Sequence, residues 1–186
     1  MIWRFALFII AYFSPLVIST FADTFPYREA VLQNLHYESW FWVWGNFDGV
    51  HYLKIAKEGY AAEYSQAFFP LYPLLINLVA RLINNEYVAA GFLVSNVSFF
   101  LLLFFLYKLV SIDFSKNTAK RTIIFLLIFP TSFFFGAIYT EALFLSFVIL
   151  TFYNIRVNNY LLASLFGFLA TLTRFVGIFL LPALII

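Results

Sequence analysis

From Tyr87 to Tyr107 the chain carries no charged residue. The run YVAAGFLVSNVSFFLLLFFLY is long enough to cross the hydrocarbon core of a bilayer as a helix. In lipid every backbone N–H and C=O must find its partner within the protein, which leaves helices and closed barrels. A barrel would show short segments of alternating polarity, and the long unbroken runs here point to helices. The rest of the chain agrees: 64% of its 186 residues are hydrophobic, 11% are charged and 27 are Phe. A soluble domain of this length carries far more charge. The expected fold is all-α, a polytopic membrane helical bundle. With no cysteine there is no disulfide framework, thiolate chemistry or cysteine metal site. A net charge of +2 gives no basis for a nucleic-acid partner.

The apolar runs divide into spans at roughly 2–22, 87–110, 120–137, 139–156 and 160–173, with a sixth starting near 175. Breaks are expected near Gly136 and Tyr139 and at the Asn158–Asn159 turn. Orientation follows from Lys and Arg. The window 108–121 holds four basic residues against Asp113, while 23–67 holds three basic and six acidic residues. Arg4, the 108–121 cluster and Arg156 are therefore expected on the cytoplasmic side. That requires residues 68–83 not to span. They read instead as an interfacial helix in the outer headgroup plane, with Pro70 and Pro73 near its first turn, where a missing N–H costs little. The chain ends in mid-hydrophobic run, LTRFVGIFLLPALII. It is thus expected to be the N-terminal transmembrane part, 1–186, of a longer protein.

Charges gather in one place, NFDGVHYLKIAKEGY at 46–60, followed by the aromatic-proline run FFPLYP at 68–73. Polar groups in so apolar a chain are kept where they are needed. Asp48 has two readings. One is a general base, since a carboxylate within reach of a hydroxyl can take its proton. The other reading is a helix N-cap, and one residue can serve both ends. His51 and Tyr52, at i+3 and i+4, share the helical face of Asp48. His51 suits a substrate hydroxyl, a phosphate or a metal, although one His and one Asp are a weak metal signature; its other reading is an interfacial histidine. Tyr52 suits substrate binding or packing at the interface. Lys54, Lys57 and Glu58 read as solvated helix charges. Phe68, Phe69 and Tyr72 read as seats in the headgroups. Glu141 lies just past the expected break, level with the charged loop. It suits acceptor binding or a helix first turn. Arg174 between apolar runs needs a partner. That partner is either a phosphate, which a guanidinium grips bidentately, or Glu141.

The string FDGVHYLKIAKEGY with QAFFPLYP resembles the GPI mannosyltransferase 2 family and its prokaryotic relatives, membrane glycosyltransferases of the GT-C type. FPTSFFFGAIYTEALF at 129–144, the Asn96-containing run and LTRFVG at 172–177 fall in the same order as in that family. One departure is Phe47, where the family usually has tryptophan. The resemblance implies a GT-C-like bundle whose first external loop, about 23–86, carries two short surface helices, about 49–58 and 68–83. It implies that Asp48 acts at the active site. The donor it implies is a polyprenyl-phosphate sugar, usually mannose, and the acceptor is a lipid-linked molecule. Attack opposite the phosphate would invert the anomeric centre. No cofactor is implied, with a divalent metal left open. The expected setting is an integral position in a prokaryotic plasma membrane with the active loop outside, or the endoplasmic reticulum in a eukaryote. Loop 23–67 has no glycosylation sequon, in keeping with the first. A transporter or lipid-handling protein, and an inactive fragment of the enzyme, are the competing readings.

Overall fold

The structure, a computed structural model, describes residues 2–17, 31, 38–63 and 65–182. It is 84% helical, with no strand among the described residues. The helices are α1 (Ile2–Val17), α2 (Ser39–Trp42), α3 (Asp48–Glu58), α4 (Leu71–Leu82), α5 (Tyr87–Asp113), α6 (Lys116–Ile128), α7 (Glu141–Arg156) and α8 (Tyr160–Thr173). Short 3-10 turns at Val43–Gly45, Pro130–Gly136 and Phe175–Leu180 join or end them.

Helix α5 is the axis. Its 27 residues give a rod of about 40 Å at 1.5 Å per residue. Among the described residues it alone is long and apolar enough to cross a bilayer by itself. Its buried positions, Val88, Gly91, Val94, Ser98 and Leu102, recur at three- and four-residue steps and form one stripe. At Gly91 the stripe must stay small, since a Cβ there would lie 2.7 Å from Ile138 Cγ2.

Helices α5 and α7 run in the same direction. Asp113 at the end of α5 forms an ion pair with Arg156 at the end of α7. The sequence reading groups Arg156 with the 108–121 cluster at one end, and the structure does the same. Helices α6 and α8 return towards the other end. Ser115 caps α6 by accepting from the Thr118 N–H, and Asn159 caps α8 by accepting from Leu162. Asn158 takes a left-handed conformation, φ 59°, so the expected Asn–Asn turn is present.

Several expected boundaries change. The span expected at 120–137 is α6 followed by the Pro130–Gly136 turn, bent by 90°. Pro130 pushes Phe129 out of helical geometry, to ψ 133°, and this ends α6. Where the sixth span is expected to start, near 175, the chain forms a 3-10 turn, Phe175–Leu180, close against α8, since a Cβ on Gly177 would meet Thr171 N at 2.5 Å; residues 181–182 are helical and the remainder lies outside the described residues. Helix α1 covers 2–17, and the rest of the expected 2–22 span lies outside the described residues. The expected interfacial segment 68–83 contains α4, with Pro70 at its N-cap and Pro73 in its first turn. An exposed apolar stripe of Leu74, Leu78 and Leu82 runs along α4. Tyr72, however, is no headgroup anchor. It is fully buried and bonded to Ser95 Oγ at 2.6 Å. Phe68 packs against His51 and Tyr52.

Arg4 also departs from expectation. The charge rule sends it to the end that holds Asp113 and Arg156. The structure sets it beside Phe92, in the second turn of α5, towards the opposite end. Its guanidinium carbon lies 4.8, 4.5 and 4.7 Å from the ring centres of Phe8, Trp44 and Phe92. Its Nη2 donates to the Gly136 carbonyl at 2.8 Å. Ring faces and a carbonyl supply what lipid would deny the charge, so the side chain is kept within the fold. Gly136 is required there, because a Cβ would fall 1.8 Å from Arg4 Nη1. Gly136→Ala is expected to displace the guanidinium and cost about 1–3 kcal/mol, the range for overpacking. Thermal unfolding in detergent measures this, and an unchanged midpoint would contradict the packing described.

Candidate active site

The site forms where three irregular segments meet at the end of the bundle that holds the N-termini of α5 and α7. The first is the turn leading into α3. Asn46 through Gly49 make a tight turn closed by Gly49 N–H to Asn46 O at 3.2 Å. Phe47 occupies φ 56°, ψ −126°. These are the angles of the first central residue of a type II′ turn, a position glycine takes without strain. A bulky aromatic residue there stores on the order of 1–3 kcal/mol. The strain fixes the entry of α3, so that Asp48 is its first residue.

The second segment is the break between α6 and α7. The Ile138 N–H donates to Trp44 O at 2.8 Å, and the Tyr139 hydroxyl donates to Asn46 O at 3.0 Å. The Ile138 carbonyl approaches so closely that a Cβ on Gly49 would sit 3.1 Å from it. The break is thus stitched to the turn that carries Asp48. The third segment is the end of α8, where Arg174 leaves helical geometry at φ −151°, ψ 139°. Its Nη1 donates to Glu141 Oε1 at 2.6 Å and to Thr140 Oγ1 at 3.4 Å.

Asp48 and Glu141 both line a cavity of about 860 Å³. Leu7, Ile10 and Ala11 of α1 form part of its wall, and Ile128, Phe129 and Phe133 another part. Asn46 and Tyr139 join the two carboxylates in the lining. The size is at the upper end of small-molecule sites, and the wall is apolar except where these residues gather.

His51 and Tyr52 do not line the cavity. The His51 ring stacks on Phe68, with centroids 4.7 Å apart. Burial lowers its pKa from the usual imidazole value, against the opposing pull of the Asp48 charge. Tyr52 is buried, with its hydroxyl 3.5 Å from Thr140 Oγ1. Burial is the largest of the influences that push its pKa up to about 12, so the phenol keeps its proton at neutral pH. A chain of polar contacts runs Tyr52–Thr140–Arg174–Glu141. All five residues singled out from the sequence are therefore in one connected region. Asp48 and Glu141 face the cavity, while His51, Tyr52 and Arg174 stand behind or beside them.

The capping alternative for Asp48 is not what the structure shows. The N-cap is Phe47, and no side chain caps the helix. The Asp48 side chain is exposed and belongs to the cavity lining. Sequence reasoning missed Asn46 and Thr140 as residues of this region. Asn46 follows Gly45, a turn signal, and Thr140 precedes a carboxylate as a capping residue would. Neither signal separates a site residue from an ordinary turn. Among the described residues no group of three or more His, Asp and Glu is placed to hold a metal ion.

Among the described residues the protein is a helical bundle with one helix of membrane-crossing length, and two carboxylates lie in the lining of a large, mostly apolar cavity. The chain matches the family model described as Mannosyltransferase (PIG-V) over residues 7–184, and it belongs to that family. The family is one of glycosyltransferases, which favours transfer chemistry over the transporter reading. Comparison with curated proteins and with solved structures gives no match.

The Arg174–Glu141 pair supports a double-mutant test. Its side chains are 40% and 31% exposed, so solvent screens much of the attraction. Arg174→Gln leaves Glu141 without its cation. The expected cost after screening is on the order of 1 kcal/mol, or about 2–4 °C in unfolding midpoint. Adding Glu141→Gln should restore the midpoint. If the double variant melts no higher than Arg174→Gln alone, the pair is not what Arg174 contributes to stability.

Proposed function

We propose that the protein is an integral membrane mannosyltransferase of GT-C type. It transfers a hexose, mannose in the first instance, from a polyprenyl-phosphate donor to a lipid-linked acceptor at the outer face of the membrane. The loop at about 23–86 carries the reaction and the rest of the chain is the transmembrane part of the same domain. The observation that carries the reading is the placing of Asp48. The residue opens α3 behind a strained turn, and it lines an apolar-walled cavity large enough for part of a lipid-linked molecule.

Asp48 acts as general base. Its carboxylate takes the proton of the acceptor hydroxyl while that oxygen attacks the anomeric carbon of the donor. The bond from that carbon to the phosphate oxygen breaks, and the phosphate leaves with the electron pair. Attack from the side opposite the phosphate inverts the centre. The leaving phosphate is stable as an anion and needs no general acid, so a single carboxylate serves. Arg174 has room to contribute. Nη1 is engaged by Glu141 and Thr140, yet 40% of the side chain stays exposed, and the rest of the fork can meet a phosphate oxygen. His51 and Tyr52 complete the polar side of α3 as neutral hydrogen-bonding groups.

Asp48→Asn tests this directly. Asparagine has nearly the same shape, and the Asp48 side chain caps no helix, so folding should be kept. Turnover of polyprenyl-phosphate mannose in membranes should fall about a hundredfold or more, the scale of a lost general base. Turnover within a few-fold of the unsubstituted protein would reject Asp48 as the base.

A further inference from the structure

Among the described residues, three that line the cavity carry buried side-chain hydrogen-bonding atoms without a partner: Asn46, Glu141 and, through its indole N–H, Trp44. Asn46 is 2% exposed, and neither Nδ2 nor Oδ1 has a partner among the described residues. Its backbone carbonyl is occupied, accepting from Tyr139 and from Gly49. Glu141 Oε2 is likewise shielded and has no partner among the described residues, while Oε1 is held by Arg174. A dry amide that makes no hydrogen bond is costly, and native proteins leave few of them without a reason.

The chemistry of the unused groups selects a ligand. The amide offers two donors and one acceptor, and Glu141 Oε2 and Asp48 offer acceptors only. A phosphate brings negative charge and needs donors. The carboxylate of Asp48 repels it, and Arg174, the cation that pairs with Glu141, does not line this cavity. Sugar hydroxyls are neutral and both donate and accept, and adjacent hydroxyls match an amide that does the same. We infer that Asn46, with the free oxygen of Glu141, binds the hydroxyls of the acceptor's sugar head, and that this cavity is the acceptor's rather than the donor phosphate's. The inference rests on the functional reading above, in which the acceptor hydroxyl must reach Asp48. It adds a binding residue, an orientation and a charge selectivity. The apolar part of the acceptor lies along Leu7, Ile10 and Ala11 of α1, and the head turns towards Asn46 and Asp48.

The test uses defined probes and needs no turnover. Octyl α-mannoside and octyl phosphate, equal in chain and different in head, are titrated into the protein in lipid nanodiscs. Trp44, in the cavity wall, is the fluorescence reporter. The mannoside should bind at least about tenfold more tightly than the phosphate. Asn46→Leu should weaken the mannoside about tenfold or more, the scale of a lost buried hydrogen-bonding group, and leave the phosphate within twofold. Without ligand, Asn46→Leu should melt at the same temperature or higher, since an apolar isostere replaces an unpartnered amide. A structural asparagine would instead give a lower midpoint, and that result would overturn the inference. So would phosphate binding as tight as mannoside, or mannoside binding unchanged by the substitution. Failure of transfer in the Asp48 assay, with these binding results intact, would count against the catalytic reading alone.

Discussion

The hydrogen bond from the Ile138 N–H to the Trp44 carbonyl holds the working end of the molecule together. It joins two stretches of irregular backbone, and neither can meet its own hydrogen-bonding needs. In an apolar surrounding an unpaired N–H or C=O is expensive. The break between α6 and α7 therefore satisfies the turn before α3, and the turn satisfies the break. Tyr139 adds a second stitch to Asn46, and Ile138 packs against both Gly49 and Gly91. The position of Asp48 follows from this pairing rather than from α3 alone. Arg4 extends the same arrangement to α1: it grips Gly136, at the start of the break, from within a cage of three rings.

Polarity is divided between the two ends of the bundle. One end holds the Asp113–Arg156 pair and the Ser115 and Asn159 caps, groups that satisfy one another on an exposed surface. The other end holds the Tyr52–Thr140–Arg174–Glu141 chain, the exposed carboxylate of Asp48 and the unpartnered amide of Asn46. Among the described residues, the second end has unpartnered side-chain groups in the lining of a cavity. That asymmetry, more than any single residue, supports the proposal that a ligand is handled at this end.

Much of this was legible in the sequence, for identifiable reasons. The charge-free run gave α5, and Asn158–Asn159 gave the start of α8 at Tyr160, because local turn chemistry decides such boundaries. The charged loop gave α3 and Asp48. What failed depended on distant contacts. Tyr72 was read as an interfacial anchor, but its hydroxyl meets Ser95 on α5, a partner 23 residues away. Arg4 was assigned by a charge rule that assumes a bare helix in lipid, and the aromatic cage that holds it is built from α1, α5 and the turn before α3. The 90° bend after α6 was signalled by Pro130, yet the hydrophobic run continues through it and reads as one span. Asn46 gave only a turn signal. Its significance lies in the side-chain partners it lacks among the described residues, which no sequence pattern displays.

The central claim is that a lipid-linked acceptor lies in the α1-walled cavity with its sugar head at Asp48. The most direct measurement is a cryo-electron-microscopy map of the protein in nanodiscs with a non-transferable acceptor analogue bound. The account predicts density for the apolar chain along Leu7, Ile10 and Ala11, and density for the sugar head within hydrogen-bonding distance of Asp48. A head resolved elsewhere, such as against the outward charges Lys57 and Glu58 of α3, with the cavity left empty, would contradict it.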